Sequence, residues 1–401
     1  MMRWLFALVL IVSLAFVGWV ARDLLRPYQG YSGNVMVNLD PGTRAPEAAR
    51  LLVSRGVLAH RLPFLMLHVL VRRRHLRIKA GEYLFDRPLR PIDVYRKLVR
   101  GDVYLHTVVI PEGSDRLDMA RILHEQLGIH PPAFLRLTAD AAPIHDLDPK
   151  APSLEGYLFP DTYRFPRGVT AERVVETMLA RFRQVTASRF RGGFGQPPKS
   201  LHDVITLASL VEKETPQASE RPVIAGLFSR RLARGWDLQC DPTVVYAVRL
   251  GLKPGAADPA GSPITESELE LDSPYNTYRH PGLPPGPICS PGEASIRAAL
   301  APAPGDSLYF VSDAHGGHVF AKTLAEHQRN VAHYRKKVAA ARGPAVARSA
   351  TGQRGVAGTP ASATGVPKKP VARQKRHKNA SHTKGKKQEG AHPRVLPDAR
   401  L

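Results

Sequence analysis

The run Leu210-Val211-Glu212-Lys213-Glu214-Thr215 places two carboxyl groups two residues apart at the end of an apolar stretch. At about 100° per residue, Val204, Leu207, Ala208 and Val211 share one face of a helix, Lys213 points away, and Glu212 and Glu214 flank that face. A carboxyl at such an edge is partly withdrawn from water. Its pKa then rises, and it can hold a proton for a general-acid step near neutral pH. Helical geometry does not choose between the two glutamates.

Three later segments accompany this pair. Leu238-Gln239-Cys240-Asp241-Pro242-Thr243-Val244 and Ser273-Pro274-Tyr275-Asn276-Thr277-Tyr278 mix short polar groups, aromatics and prolines, and Gly282-Leu283-Pro284-Pro285-Gly286-Pro287-Ile288 follows. Read as loops, they suit a sugar. Tyr275 and Tyr278 offer flat apolar faces to pyranose rings, while Gln239 and Asn276 can donate to and accept from hydroxyl and acetamido groups. Turn chemistry alone explains the prolines but not so many amides and aromatics. HExxH, P-loop and GxGxxG patterns are missing, so no metal or cofactor is expected, and His315 and His318 beside Gly316-Gly317 read as hairpin residues. Cys240 and Cys289 lack CxxC spacing and are compatible with one bridge or with two buried thiols.

The elements that must position these groups form an α+β chain. Ser200 followed at three residues by Asp203 is a capping-box start, and Pro216 a stop, for a helix over Leu201–Lys213. Thr170–Val185 has the same apolar spacing; Leu308-Tyr309-Phe310-Val311 and His318-Val319-Phe320 read as a hairpin; Leu324–Ala341 reads as a closing helix. Upstream, the strand Val35-Met36-Val37-Asn38-Leu39, the turn Asp40-Pro41-Gly42 and a helix from Ala45 to Arg55 recur about 71 residues later as Val108-Val109-Ile110, Pro111-Glu112-Gly113-Ser114 and another helix. Gly42, Thr43, Glu47, Ala49, Arg50 and Leu52 align with Gly113, Ser114, Asp118, Ala120, Arg121 and Leu123. Between the copies, Ile78–Phe85 reads as a strand and Pro91–Leu98 as a helix. Residues 30–145 are thus expected to form a small strand-helix-helix-strand module resembling LysM carbohydrate-binding domains, and residues 150–341 a mainly helical or mixed catalytic domain.

Trp4–Ala21 carries no charge and one hydroxyl, Ser13, between Arg3 and Arg22, and at about 1.5 Å per residue it nearly spans a bilayer core. Val17-Gly18-Trp19-Val20-Ala21 lacks a small-x-small cleavage site, so residues 4–21 are read as a retained membrane anchor after a short cytoplasmic stretch, residues 1–3. The net charge is +22, and about half of it falls beyond Arg342, among Ala, Gly, Pro, Lys and Arg with few large apolar residues. Residues 342–401 are expected to be a disordered basic tail. Arg373-Gln374-Lys375-Arg376-His377-Lys378 has no aromatic stacking partners, so nucleic acid is not an expected ligand.

Taken in order, Glu212-Lys213-Glu214-Thr215, Leu238–Val244, Tyr275-Asn276-Thr277-Tyr278, Gly282–Gly286 and Gly316-Gly317-His318 resemble the endolytic murein transglycosylases of the YceG-like (MltG) family, as does Leu154-Glu155-Gly156-Tyr157-Leu158-Phe159-Pro160-Asp161. The likeness covers residues 1 to about 340. It implies an inner-membrane enzyme with its catalytic domain on the periplasmic side, acting on peptidoglycan glycan strands beside the wall-synthesis machinery. It also selects Glu214, followed by the hydroxyl of Thr215, as the acid. Glu155, Thr215, Gln239, Asp241, Tyr275, Asn276 and Tyr278 become the expected substrate contacts. Cys240 and Cys289 depart from the pattern, standing where residues such as Thr and Ala are expected. A non-catalytic wall-binding scaffold, or a hydrolase pairing Glu214 with Glu212, Asp241 or Glu155, is the alternative.

Overall fold

The computed structural model describes residues 2–71, 77–189, 200–252, 258 and 261–342. Of the basic tail, residues 343–401 lie outside the described residues. The chain is a mixed α+β protein that opens with α1 (Met2–Leu25), an apolar helix long enough to cross a membrane. Its one hydroxyl, on Ser13, donates to the Val9 carbonyl at 2.7 Å, which keeps that polar group satisfied without water.

The internal repeat is structural. In the first copy, β1 (Val35–Leu39), α2 (Ala45–Ser54), α3 (Arg61–Val71) and β2 (Gly81–Phe85) close as an antiparallel pair, with Val35 opposite Phe85 and Leu39 opposite Gly81. Its core joins Val37, Leu39, Leu52, Phe64, Tyr83 and Phe85 to Val94 and Leu98 of α4 (Pro91–Arg100). In the second copy, β3 (Leu105–Val109), α5 (Arg116–Leu127), α6 (Pro131–Ala139) and β4 (Thr162–Pro166) repeat the scheme, with Val109 opposite Thr162. The turn glycines Gly42 and Gly113 adopt φ of 88° and 78°, a left-handed conformation that glycine enters without a Cβ clash, and so the aligned glycines serve one geometric need. The β3–β4 pair spans the boundary expected at residues 145–150. The strand expected over Ile78–Phe85 begins only at Gly81, whose φ of 138° breaks the extended run, while the Lys79 amide bonds to Leu98 at the end of α4.

Internal contacts divide the chain into two compact units, Met1–Gly226 with Leu283–Ala303, and Leu227–Gly282 with Pro304–Leu401, so the residues expected as one catalytic domain are shared between them. The first unit continues with α7 (Ala171–Arg189) and α8 (Leu201–Glu214), and α9 (Arg221–Ala233) carries the chain into the second unit. There, α10 (Asp241–Gly251) and α11 (Glu266–Leu269) precede a return to the first unit, where α12 (Glu293–Leu300) packs along α8. The second unit closes with the hairpin β5 (Tyr309–Ser312) and β6 (His318–Ala321), then α13 (Leu324–Arg342). The expected loop Leu238–Val244 is half helix, because Pro242 sits in the first turn of α10, where its missing N–H leaves no intrahelical bond unmade.

Candidate active site

The helix carrying the two glutamates starts as its sequence predicts. The Ser200 hydroxyl accepts from the Asp203 amide at 3.1 Å, and the Asp203 carboxylate accepts from the Ser200 amide at 3.2 Å. α8 is more enclosed than a one-faced amphipathic helix. Beyond the expected face of Val204, Leu207, Ala208 and Val211, it also buries Ile205, Thr206, Ser209 and Leu210. Ser209 makes this tolerable by donating to the Thr206 carbonyl at 2.7 Å and accepting from the Ile288 amide at 3.1 Å. That second bond ties the Pro-rich loop to the helix.

The two glutamates at its end differ. Both oxygens of Glu212 are committed: Oε1 accepts from Arg221 Nη2 and Oε2 from the Gly292 amide, each at 2.9 Å. Lys213 is exposed and donates to the Gly113 carbonyl at 3.3 Å. Glu214 is the last helical residue and only 5% exposed. Thr215 turns extended ahead of Pro216, and its buried hydroxyl donates to Glu220 at 2.8 Å while accepting from the Gln217 amide at 3.1 Å. The backbone leaving Glu214 is therefore clamped.

The second copy of the repeated turn braces this helix end. The Gly113 amide donates to the Ser290 carbonyl, and the Ser290 amide to the Ser114 carbonyl, both at 2.9 Å. Glu112 lies 3.7 Å from Arg221, and burial, then the Glu212 charge, push its pKa up against the pull of Arg221. Glu155 is buried and accepts from the Arg116 amide at 3.2 Å, with the Arg116 guanidinium 3.5 Å away. Its neighbour Gly156, at φ 85°, leaves room for Pro287: a Cβ there would come within 2.5 Å of the ring. Cys289 is a buried free thiol whose pKa burial pushes well up; Lys213, Glu212, Glu155 and Asp115 all act on it electrostatically. A second buried cluster supports the same loop. His202 Nδ1 meets Asp148 at 2.9 Å, Nε2 meets the Pro285 carbonyl at 3.0 Å, and the Tyr157 hydroxyl donates to Asp148.

The second unit gathers Gln239, Asp241, Asn276 and Tyr278. Gln239 sits at φ 50°, strained for a side chain with a Cβ, and its amide donates to the Thr277 carbonyl at 3.1 Å. The Thr277 hydroxyl accepts from the Cys240 amide at 3.0 Å and lies 2.9 Å from that of Thr243. The Tyr278 hydroxyl donates to Asp241, whose pKa is raised by burial against that bond; burial and the Asp241 charge raise the Tyr278 pKa as well. Asn276 is fully buried and spends its amide on the chain, donating to the Leu269 and Leu271 carbonyls at 2.8 and 2.9 Å and accepting from the Tyr278 amide at 3.0 Å. Tyr275 is half-buried with its ring 5.1 Å from that of Tyr246. Cys240 is a free buried thiol. Arg231 is also buried, donating to the Leu308 and Leu238 carbonyls at 2.8 and 2.6 Å.

Arg221, Glu220 and the Asp148–His202–Tyr157 cluster were not legible in the sequence. A weak signal existed for Arg221 alone, as a cation in the first turn of a helix five residues beyond Pro216.

A protein from Bacillus subtilis called endolytic murein transglycosylase is 29% identical over 337 residues, spanning 80% of this chain and 90% of its own. A protein of the same name from Streptococcus pneumoniae is 30% identical over 341 residues, 78% of this chain, which spans 60% of that relative's length. A solved YceG-like protein from Listeria monocytogenes is 30% identical, with a TM-score of 0.49 over 74% of this chain and 98% of its own. The model of the YceG-like family matches residues 37–333, and the chain belongs to that family.

Proposed function

We propose that this chain is an endolytic murein transglycosylase that cuts the β-1,4 bond between N-acetylmuramic acid and N-acetylglucosamine in peptidoglycan strands. Membership of the YceG-like family over residues 37–333, with relatives called endolytic murein transglycosylases, carries this reading. Glu214 is the proposed acid: it protonates the bridging oxygen, and as a carboxylate then takes the proton of the muramyl C6 hydroxyl while that oxygen attacks C1. One bond breaks, one forms, and the product ends in a 1,6-anhydro ring without consuming water. A single carboxylate suffices because the nucleophile belongs to the substrate and is already placed. The burial of Glu214 at the end of α8 supports it as the proton carrier, and the bonds to both Glu212 oxygens suit Glu212 to a bracing role.

Thr215 and Glu155 support the helix end and the loop beside it. Gln239, Asp241, Tyr275 and Tyr278 are the proposed glycan contacts, and Asn276 acts by holding their loop. The first βααβ copy lies in the proposed LysM-like wall-binding module, residues 30–145. α1 anchors the enzyme in the inner membrane with the rest of the chain periplasmic, where wall-synthesis proteins are the proposed partners and termination of nascent strands the proposed role. Digestion of purified glycan strands tests the activity. Ends one water lighter than reducing ends are expected; reducing ends would favour hydrolysis, and no cleavage a binding role.

A further inference from the structure

Outside α1, exposed large apolar side chains are few among the described residues, and four of them lie on one short helix. Leu62, Met66, Val69 and Leu70 of α3 are between 39% and 76% exposed. Their spacing of four, seven and eight residues from Leu62 puts them on one face. The opposite face is committed to the module: Phe64 is buried with its ring 5.5 Å from that of Tyr95, and His68 Nδ1 lies 3.1 Å from the Tyr95 hydroxyl. The outer stripe therefore has no role in the core.

The start of α3 is tied to the end of α1. The His60 ring lies 5.4 Å from that of Trp19, and its Nδ1 is 2.8 Å from Asp23; α1 also packs along α3 and α4. Trp19, followed within a turn by Arg22 and Asp23, is the arrangement of a helix leaving hydrocarbon for water, with the indole at the boundary. α3 thus begins at the depth where lipid ends.

We propose that α3 lies in the lipid–water boundary of the bilayer that α1 crosses, with Leu62, Met66, Val69 and Leu70 immersed among the acyl chains. This rests on the reading of α1 as a membrane anchor. The attachment of α3 to the end of α1 through His60, Trp19 and Asp23 favours lipid over a protein partner, and exposed Arg22, Arg26 and Arg61 supply cations for headgroup phosphates at that level. The first module is then fixed against the membrane by two surfaces instead of swinging on one helix.

The test uses the full-length protein in vesicles of phosphatidylethanolamine and phosphatidylglycerol, with a polarity-sensitive fluorophore on Leu70→Cys; both native thiols are buried and label poorly. Val12→Cys in α1 reports the anchor, and Arg121→Cys on α5 reports water. The expected result is a blue-shifted Leu70 label, quenched by lipids carrying a shallow quencher and protected from aqueous iodide, with Val12 quenched by the deep quencher and Arg121 by iodide. A water-quenched Leu70 label beside a lipid-quenched Val12 label overturns the proposal and leaves the anchor standing. Protection of Leu70 from iodide without lipid quenching assigns the stripe to a protein and also overturns it. A Val12 label open to iodide removes the anchor reading itself.

Discussion

Replacing Arg221 by Met isolates the device that holds Glu212. Their side chains are 10% and 5% exposed and meet at 2.9 Å. At an effective dielectric constant of about 20, unit charges at that distance attract by roughly 6 kcal/mol, and the cost of drying both ions cancels much of this. Removing one partner of a buried pair costs about 3–5 kcal/mol, because the other charge stays buried. Glu212 keeps the Gly292 amide, so the lower figure applies, and about 3 kcal/mol corresponds to a fall in Tm of roughly 6–12 °C for a unit of this size. Calorimetry of Arg221→Met, Glu212→Gln and the double variant measures the coupling. The double variant should lose at least about 1 kcal/mol less than the two singles together. Single losses below about 0.5 kcal/mol, or additive ones, would refute the bracing role.

Gly156→Ala adds a Cβ at φ 85° against the rigid Pro287 ring, so a loss of roughly 3 kcal/mol or more is expected in denaturant titration, and a change within about 0.5 kcal/mol would contradict the packing. Asn276→Ala removes three hydrogen bonds to half-buried backbone and should cost about 3 kcal/mol; a weaker glycan affinity at unchanged Tm would instead make Asn276 a direct sugar contact. In the buried cluster, the hydrogen bond to Asp148 holds the His202 pKa above its ordinary 6.5, and bonds from His202 and Tyr157 hold Asp148 below its ordinary 3.8 against the opposing effect of burial. The His202 contribution is complete below 6.5 and is lost as pH rises through the raised value; the Asp148 contribution is complete above 3.8 and is lost as pH falls through the lowered one. Tm against pH should therefore fall on the alkaline side of 6.5, and His202→Phe should abolish that fall; an unchanged alkaline limb in the variant would assign it to other groups.

Local rules reached far into this chain. The capping box at Ser200, the stop at Pro216, the β5–β6 hairpin and the repeat that aligns Gly42 with Gly113 all rest on interactions spanning a few residues, so composition and spacing expose them. The long-range closures were hidden. The pairing of β3 with β4 joins strands more than fifty residues apart, and the Glu212–Arg221–Gly292 brace depends on α12 lying along α8. Helical phase placed both glutamates beside a buried face but could not separate them, because the partners of Glu212, Arg221 and Gly292, are brought by other segments. Asn276 shows the same limit: its side-chain type suits a sugar, while its burial commits it to backbone.

The proton-transfer assignment is tested most directly by comparing Glu214→Gln with Glu212→Gln on purified glycan strands, following anhydro-muramyl ends by mass at matched concentrations of folded protein. Glu214→Gln should lose roughly 10² to 10⁴-fold in rate at unchanged Tm, the range that general acid–base catalysis supplies. Glu212→Gln should lose stability and keep most of the rate per folded molecule. Equal cleavage by wild type and Glu214→Gln, or abolition by Glu212→Gln alone, would contradict the account.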